Sequence, residues 1–197
     1  WTKIIRPITI SSNYDYFTPE PGGGVLDSNG NLWVLGTNRS GSGNYRKIII
    51  AKLNGSTGSL MGCWKLNSNN NDQASDYKLI MDTDDNLYVT GTQYVGSYPN
   101  MLIAKFDTSS MTLSWAKMYG GGGTGDYDAP WVVKVDSNND PYIVGYTKTA
   151  STDYTGTLFK LNRNNGAWVW GKQHSGTEFN QSIAIDGSDN IFILGED

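Results

Sequence analysis

Asp82, Asp84 and Asn86 place three oxygen-bearing side chains at alternate positions, and Asp136, Asn138 and Asp140 repeat the pattern, as do Asp27, Asn29 and Asn31. Alternating carboxylates and amides are what a hard cation such as Ca²⁺ takes as ligands, so these segments are the first candidates for chemistry. An EF-hand-like shell also needs an acidic group at the twelfth loop position, and counting from Asp82 that position is Gln93. The same side chains serve equally as acceptors for their own turn amides. The sequence favours this turn-forming reading, with calcium as the alternative, and no cofactor is expected.

Other constellations carry less. Gly120 to Gly125 matches G-x-G-x-x-G, but Asp126-Tyr-Asp-Ala-Pro130 follows where a phosphate-binding helix would begin, so the stretch is expected to be a loop. His174 stands among Ser175, Thr177 and Glu178 in an expected loop, and nothing in the spacing brings a nucleophile and an orienting acid to it. Glu occurs only as Glu20, Glu178 and Glu196, which gives a glycosidase carboxylate pair little to draw on. Asp126 and Asp128 sit two residues apart in an expected exposed loop. A single cysteine, Cys63, excludes an internal disulfide framework and a Cys-based zinc site.

The elements that would position such groups follow from composition and period. Among 197 residues there are 24 Gly, 19 Asn, 18 Ser and 17 Thr, beside 12 Tyr, 7 Trp and 5 Phe. Gly, Asn and Ser supply turn dihedrals while aromatic and β-branched residues fill pleated faces, so many short strands joined by tight turns are expected. The formal net charge is -4 and the basic residues are scattered singly, so no stripe neutralises a phosphate backbone and nucleic acid is not an expected partner. The longest strictly aliphatic stretch is Ile48 to Ala51, far short of the roughly 20 apolar residues of a membrane-spanning helix.

Internal repetition decides the fold class. Asp27-Ser-Asn-Gly-Asn-Leu-Trp-Val-Leu-Gly36 aligns with segments 82–91, 136–145 and 186–195, and the closing glycines are 55, 54 and 50 residues apart. Lys52-Leu-Asn54, Lys105-Phe-Asp107 and Lys160-Leu-Asn162 recur downstream, followed by Cys63-Trp-Lys65, Trp115-Ala-Lys117 and Trp170-Gly-Lys172. Trp1-Thr-Lys3 repeats that last element. Each unit reads as four short antiparallel strands, and no window has a helical period with caps. This is the spacing of a β-propeller blade, so the expected fold is all-β, a propeller of four-stranded blades over about 23–67, 77–120 and 130–173. An outer strand over 1–8 and a partial blade over 181–197 bring the expected total to fifteen strands, one short of four blades. The chain is therefore expected to be an excerpt of a larger propeller, with closure by itself or by a partner as the alternative.

The first-strand Asp, the turn, Asn-Leu-Tyr-Val-Thr-Gly, then Lys-Leu-Asn and Trp-x-Lys resemble the bacterial and phage β-propeller repeats called SBBP repeats, with a distant likeness to quinoprotein blades. The resemblance covers nearly the whole chain and implies a propeller. It implies little about activity, because propellers host many unrelated functions. Trp115 and Trp170 look like the structural tryptophans of quinoprotein blades, yet the outer-strand position predicts packing between neighbouring blades.

Blade order sorts the connections onto two faces. Short uniform turns, with Asn29-Gly30, Asn54-Gly55 and Asn165-Gly166 as hairpin formers, lie on one. Longer, variable loops lie on the other and carry Tyr14, Tyr16, Phe17, Arg39, Tyr45, Arg46, Tyr94, Tyr98, Tyr119, Tyr127, Tyr146 and Tyr154. Tyr and Arg on loops are interface-forming types, so this face is the expected binding surface, with sealing of blade junctions as the other use of the same rings. The expected function is a non-catalytic module recognising a protein or a surface glycan in an extracellular, cell-surface or virion assembly. The alternatives are a structural scaffold within such an assembly, and a quinoprotein-like or polysaccharide-cleaving enzyme.

Overall fold

The structure, a computed structural model, describes residues 16–39, 46–65, 74–95, 98–120, 125–148, 154–175 and 178–196. The chain is all-β, with no helix among the described residues. The strands are β1 (Tyr16–Leu26), β2 (Leu32–Arg39), β3 (Arg46–Leu53), β4 (Leu60–Lys65), β5 (Ala74–Met81), β6 (Asn86–Val95) and β7 (Tyr98–Asp107). They continue as β8 (Thr112–Tyr119), β9 (Tyr127–Val135), β10 (Pro141–Lys148), β11 (Tyr154–Leu161), β12 (Trp168–Ser175), β13 (Glu178–Ile185) and β14 (Ile191–Glu196). They form three four-stranded antiparallel sheets, β1 to β4, β5 to β8 and β9 to β12, and a two-stranded sheet of β13 and β14. The expected strand over 1–8 lies outside the described residues.

The strands run further than the sequence suggests, because first and second strands pair on both sides of the closing glycine. Register shifts fall between Pro19 and Gly24, Ser75 and Lys78, Val144 and Gly145, and Glu178 and Ser182. Each is a bulge beside the recurring glycine, the place where a strand glycine admits a close backbone approach. A Cβ on Gly145 would overlap the carbonyl oxygen of Ala129 on β9. Beyond the bulge pairing resumes, as in Thr147 opposite Asp128 and Lys148 opposite Tyr127.

The sheets pack face to face in chain order. Trp33, Leu35, Ile48 and Ile50 of the first sheet meet Leu79, Leu87, Val89, Leu102 and Phe106 of the second. The other face of the second sheet presents Tyr88, Met101, Ile103 and Trp115 to Val133, Ile143, Phe159 and Leu161 of the third. Tyr142, Val144 and Leu158 then pack on Ile183 of the fourth, flanked by Ile185, Ile191 and Ile193. Strands covered on both faces read as apolar runs in place of alternations, which is why Met101 to Phe106 is buried throughout, with Lys105 the one charged residue among them. The first strands also succeed one another in space, β1 against β5, β5 against β9 and β9 against β13.

Candidate functional site

The repeated Asp turns occupy one end of the sheets, and their geometry shows what the carboxylates do. Asp27 Oδ1 accepts from the amides of Asn29 and Asn31 at 3.1 and 2.8 Å, while Oδ2 accepts from the Trp33 indole at 3.1 Å and pairs with Lys52 Nζ at 3.0 Å. Asp82 accepts from the amides of Asp84 and Asn86 at 3.0 and 2.7 Å, and Asp136 from those of Asn138 and Asp140 at 3.0 and 2.9 Å. The lysine of each following third strand closes the set, with Lys105 at 3.9 Å from Asp82 and Lys160 at 2.8 Å from Asp136 and 3.1 Å from Asp140. Burial alone pushes the Asp27 carboxyl up, yet bonds from Trp33, Asn31 and Lys52 hold it well below the usual carboxylate range. An ammonium group therefore stands where a cation would approach the carboxylate. Among the described residues no group of three or more His, Cys, Asp or Glu is arranged to hold a metal ion.

The turns differ in detail from two-residue Asn-Gly hairpins. Asp27 and Asn31 close a three-residue loop whose last residue, Gly30, has φ of 74°, and Asp85, Asn139 and Asp189 repeat it at 59°, 63° and 61°. In the turn after β3 the left-handed residue is Gly58, not Gly55. Asn54 Oδ1 instead accepts from the amides of Ser56 and Thr57.

The opposite end carries the residues expected to bind, and it places them within strands. Tyr16 and Phe17 open β1, Arg39 closes β2, Arg46 opens β3, Tyr94 lies near the end of β6 and Tyr98 opens β7. Tyr119 closes β8, Tyr127 opens β9, Tyr146 lies in β10 and Tyr154 opens β11. Tyr14 and Tyr45 lie outside the described residues. The expectation of long loops is corrected here: His174 sits in β12 opposite Gly156, and β6 and β7 pair up to Val95 and Tyr98. Residues 121–124 of the glycine-rich match lie outside the described residues, and β9 follows.

Four rings of the third sheet gather at this end. Tyr127 and Tyr146 stack with centroids 5.8 Å apart and planes at 6°, Tyr154 meets Tyr146 edge-on at 5.2 Å, and Trp131 lies 5.9 Å away. Lys148 Nζ lies 4.7 Å from the Tyr154 ring centroid. These residues share the face that packs toward the fourth sheet. On the face toward the second sheet a cleft of about 390 Å³ opens, walled by Met101, Tyr119, Phe159 and Trp168 on its apolar side. Asp126, Asp128, Thr147, Lys148, Thr157 and Gln173 supply polar groups. Burial raises the Tyr119 phenol above its ordinary value, so it stays protonated and donates to Gly166 O.

Of the cleft residues, the sequence singles out Tyr119 and, as a carboxylate pair, Asp126 and Asp128. It passes over Thr157 and Phe159, which belong to a strand that reads as core, and over Trp168 and Gln173, which flank the Trp170-Gly-Lys172 element without a pattern of their own. The available signal is Trp168-Val-Trp170-Gly171, whose two tryptophans lie on β12 beside a glycine. Trp115 does bridge sheets, since its indole donates to Arg163 O of the third sheet at 3.0 Å. No protein-family model matches the chain, and no curated protein matches it.

Proposed function

We propose that the chain is part of a β-propeller and acts as a non-catalytic recognition module, contacting a protein or surface glycan within an extracellular, cell-surface or virion assembly. The propeller reading draws on the repeat period, on four-stranded antiparallel sheets packed face to face, and on first strands that succeed one another as strands around an axis do. The resemblance to SBBP-type repeats points the same way. Recognition is carried by one observation: Tyr127, Tyr146 and Tyr154 cluster at the end of the sheets away from the Asp turns, on the sheet whose other face borders an open cleft. Such rings give apolar area with a polar tip and lose little rotamer entropy on binding.

The test is surface binding by the labelled chain to intact bacterial cells and to immobilised cell-surface polysaccharides and proteins. The triple variant Tyr127→Ala, Tyr146→Ala, Tyr154→Ala is compared after circular dichroism has established that it is folded. Saturable binding that drops at least tenfold in the variant is expected. A folded variant that binds as well as the parent, or a parent that binds nothing, overturns the reading.

A further inference from the structure

We propose that the cleft between the second and third sheets holds one pyranose ring of a glycan. This rests on the reading of this end of the sheets as a recognition face and names the ligand class for its cleft. Phe159 and Trp168 stack with centroids 5.0 Å apart and planes at 14°, and Tyr119 leans on them at 5.3 and 6.0 Å. Trp168 nevertheless keeps 52% of its surface exposed. Its ring is held in place from two sides: Phe159 stacks on it, and Gly171 leaves open the space in which the indole lies, since a Cβ there would overlap it. A fixed aromatic face carries negative charge density, and one face of a pyranose offers a row of slightly positive C–H groups to match it.

The polar side completes the fit. Asp126 and Asp128 accept hydrogen bonds only, while Thr147, Thr157 and Gln173 both donate and accept. A sugar hydroxyl also does both, so a ring bearing several of them matches the threonines and the amide, with the carboxylates, which already have partners of their own, at the edge of the site. A simple anion would face two carboxylates against the one ammonium of Lys148, and a simple cation would face that ammonium and leave the threonine and amide donors unused. Thr157 asks for a hydrogen-bonding ligand: it is 4% exposed, it lines the cleft, and its Oγ1 has no hydrogen-bond partner among the described residues. A buried hydroxyl left unpaired is costly, and a ligand hydroxyl entering the cleft supplies the missing bond. The volume, near the lower end of small-molecule sites, suits one ring with its substituents.

The experiment titrates the chain with methyl glycosides of hexoses and N-acetylhexosamines, read by tryptophan fluorescence and by saturation-transfer NMR. Choline and arginine ethyl ester serve as cationic probes. At least one glycoside is expected to bind saturably and to perturb Trp168. Trp168→Ala should weaken it at least tenfold, and the near-isosteric Thr157→Val at least threefold without lowering the melting temperature. Glycoside binding that both variants leave intact, or binding of the cationic probes in place of any glycoside, overturns the proposal. If no glycoside binds while the triple tyrosine variant still loses surface binding, the sugar assignment falls and the recognition reading stands. If the parent chain binds neither glycoside nor surface, both fall.

Discussion

Ser28 donates both its amide and its hydroxyl to the carboxylate of Asp85, which stands 57 positions along the chain in the turn of the next sheet. The relationship recurs. Thr83 donates its amide and hydroxyl to Asn139 Oδ1 at 3.3 and 3.0 Å, and Ser137 donates to Asp189 at 2.9 and 2.6 Å. In every case the donor follows the turn aspartate by one position, and the acceptor is the left-handed residue of the next turn. The first turn has Gly30 at the acceptor position and the last has Gly187 at the donor position, so a clasp of this kind cannot join the last turn to the first.

Asn139 tests the clasp because it is 3% exposed and joins two sheets through Thr83 and through Asp84 Oδ2 at 3.0 Å. Asn139→Gly keeps the backbone free to hold φ near 63° and removes only the side-chain bonds, at about 1–3 kcal/mol. Asn139→Ala adds the strain of a left-handed residue with a Cβ, about 1–2 kcal/mol. Urea unfolding should rank parent, Gly, then Ala in falling stability. An alanine variant as stable as the glycine variant would show that the backbone conformation carries no cost.

The turn lysines are not equivalent. Lys160 reaches two carboxylates, and although burial works against its charge, bonds to Asp136, Asp140 and Tyr142 raise its pKa. Lys105 stands 3.9 Å from Asp82, and burial, only partly offset by that charge, lowers its pKa. Lys160→Met should therefore leave the Asp136 carboxylate buried without its counter-ion and cost about 1–3 kcal/mol, reduced from a fully buried pair because the lysine is partly hydrated. Lys105→Met should cost less than half as much by the same denaturation assay. The reverse ranking would mean that distance does not govern these pairs.

The pH profile follows from the same groups. Asp27, Asp107, Asp186 and Asp189 all titrate below the ordinary carboxylate value of 3.8, with Asp107 held at about 2 by Ser109 and Ser110. A depressed carboxyl pKa contributes stability that is present above the unfolded value and lost as pH falls through the folded one. Lys160 titrates above its ordinary 10.5, and burial raises Tyr88, Tyr119 and Tyr142 above 10. Raised values contribute stability that is present below the unfolded pKa and lost as pH climbs. Melting temperature should fall below about pH 4 and again above about pH 10. A profile that keeps rising from about pH 4 down to about pH 2 would contradict the assignment of the turn carboxylates.

The sheets were legible because the repeat places the same residue types at the same step of each unit: Asp at the strand end, glycine at the bulge, and lysine opposite the aspartate. Strand length was not, since Thr147 and Tyr146 beyond the bulge carry no periodic pattern and read as loop, although they pair with Thr155 and Gly156. The cleft was hidden for a related reason. Phe159 lies 2% exposed and Trp168 52%, yet both occupy strand positions that sequence assigns to packing alone. Only the stacking of one sheet on the next tells which aromatic ring is covered and which lines an opening.

Two glycines of superficially similar turns should respond oppositely to alanine. A Cβ at Gly55 would overlap the backbone oxygen of Gly30, so the turn after β3 and the Asp27 turn touch through main chain that has no side chain to move aside. Gly55→Ala must displace one turn from the other and should lower stability by about 1–3 kcal/mol. A Cβ at Gly187 would meet no described residue within 4 Å, and this glycine has no left-handed φ. Replacing it removes conformational freedom from the unfolded chain alone, so Gly187→Ala should raise stability by about 0.4–1 kcal/mol. Chemical denaturation of the two variants side by side makes the comparison, because both add one methyl group at a turn. A stabilising Gly55→Ala would mean that the two turns are not in contact, and a destabilising Gly187→Ala would mean that the last Asp turn is packed against something that its own residues do not provide.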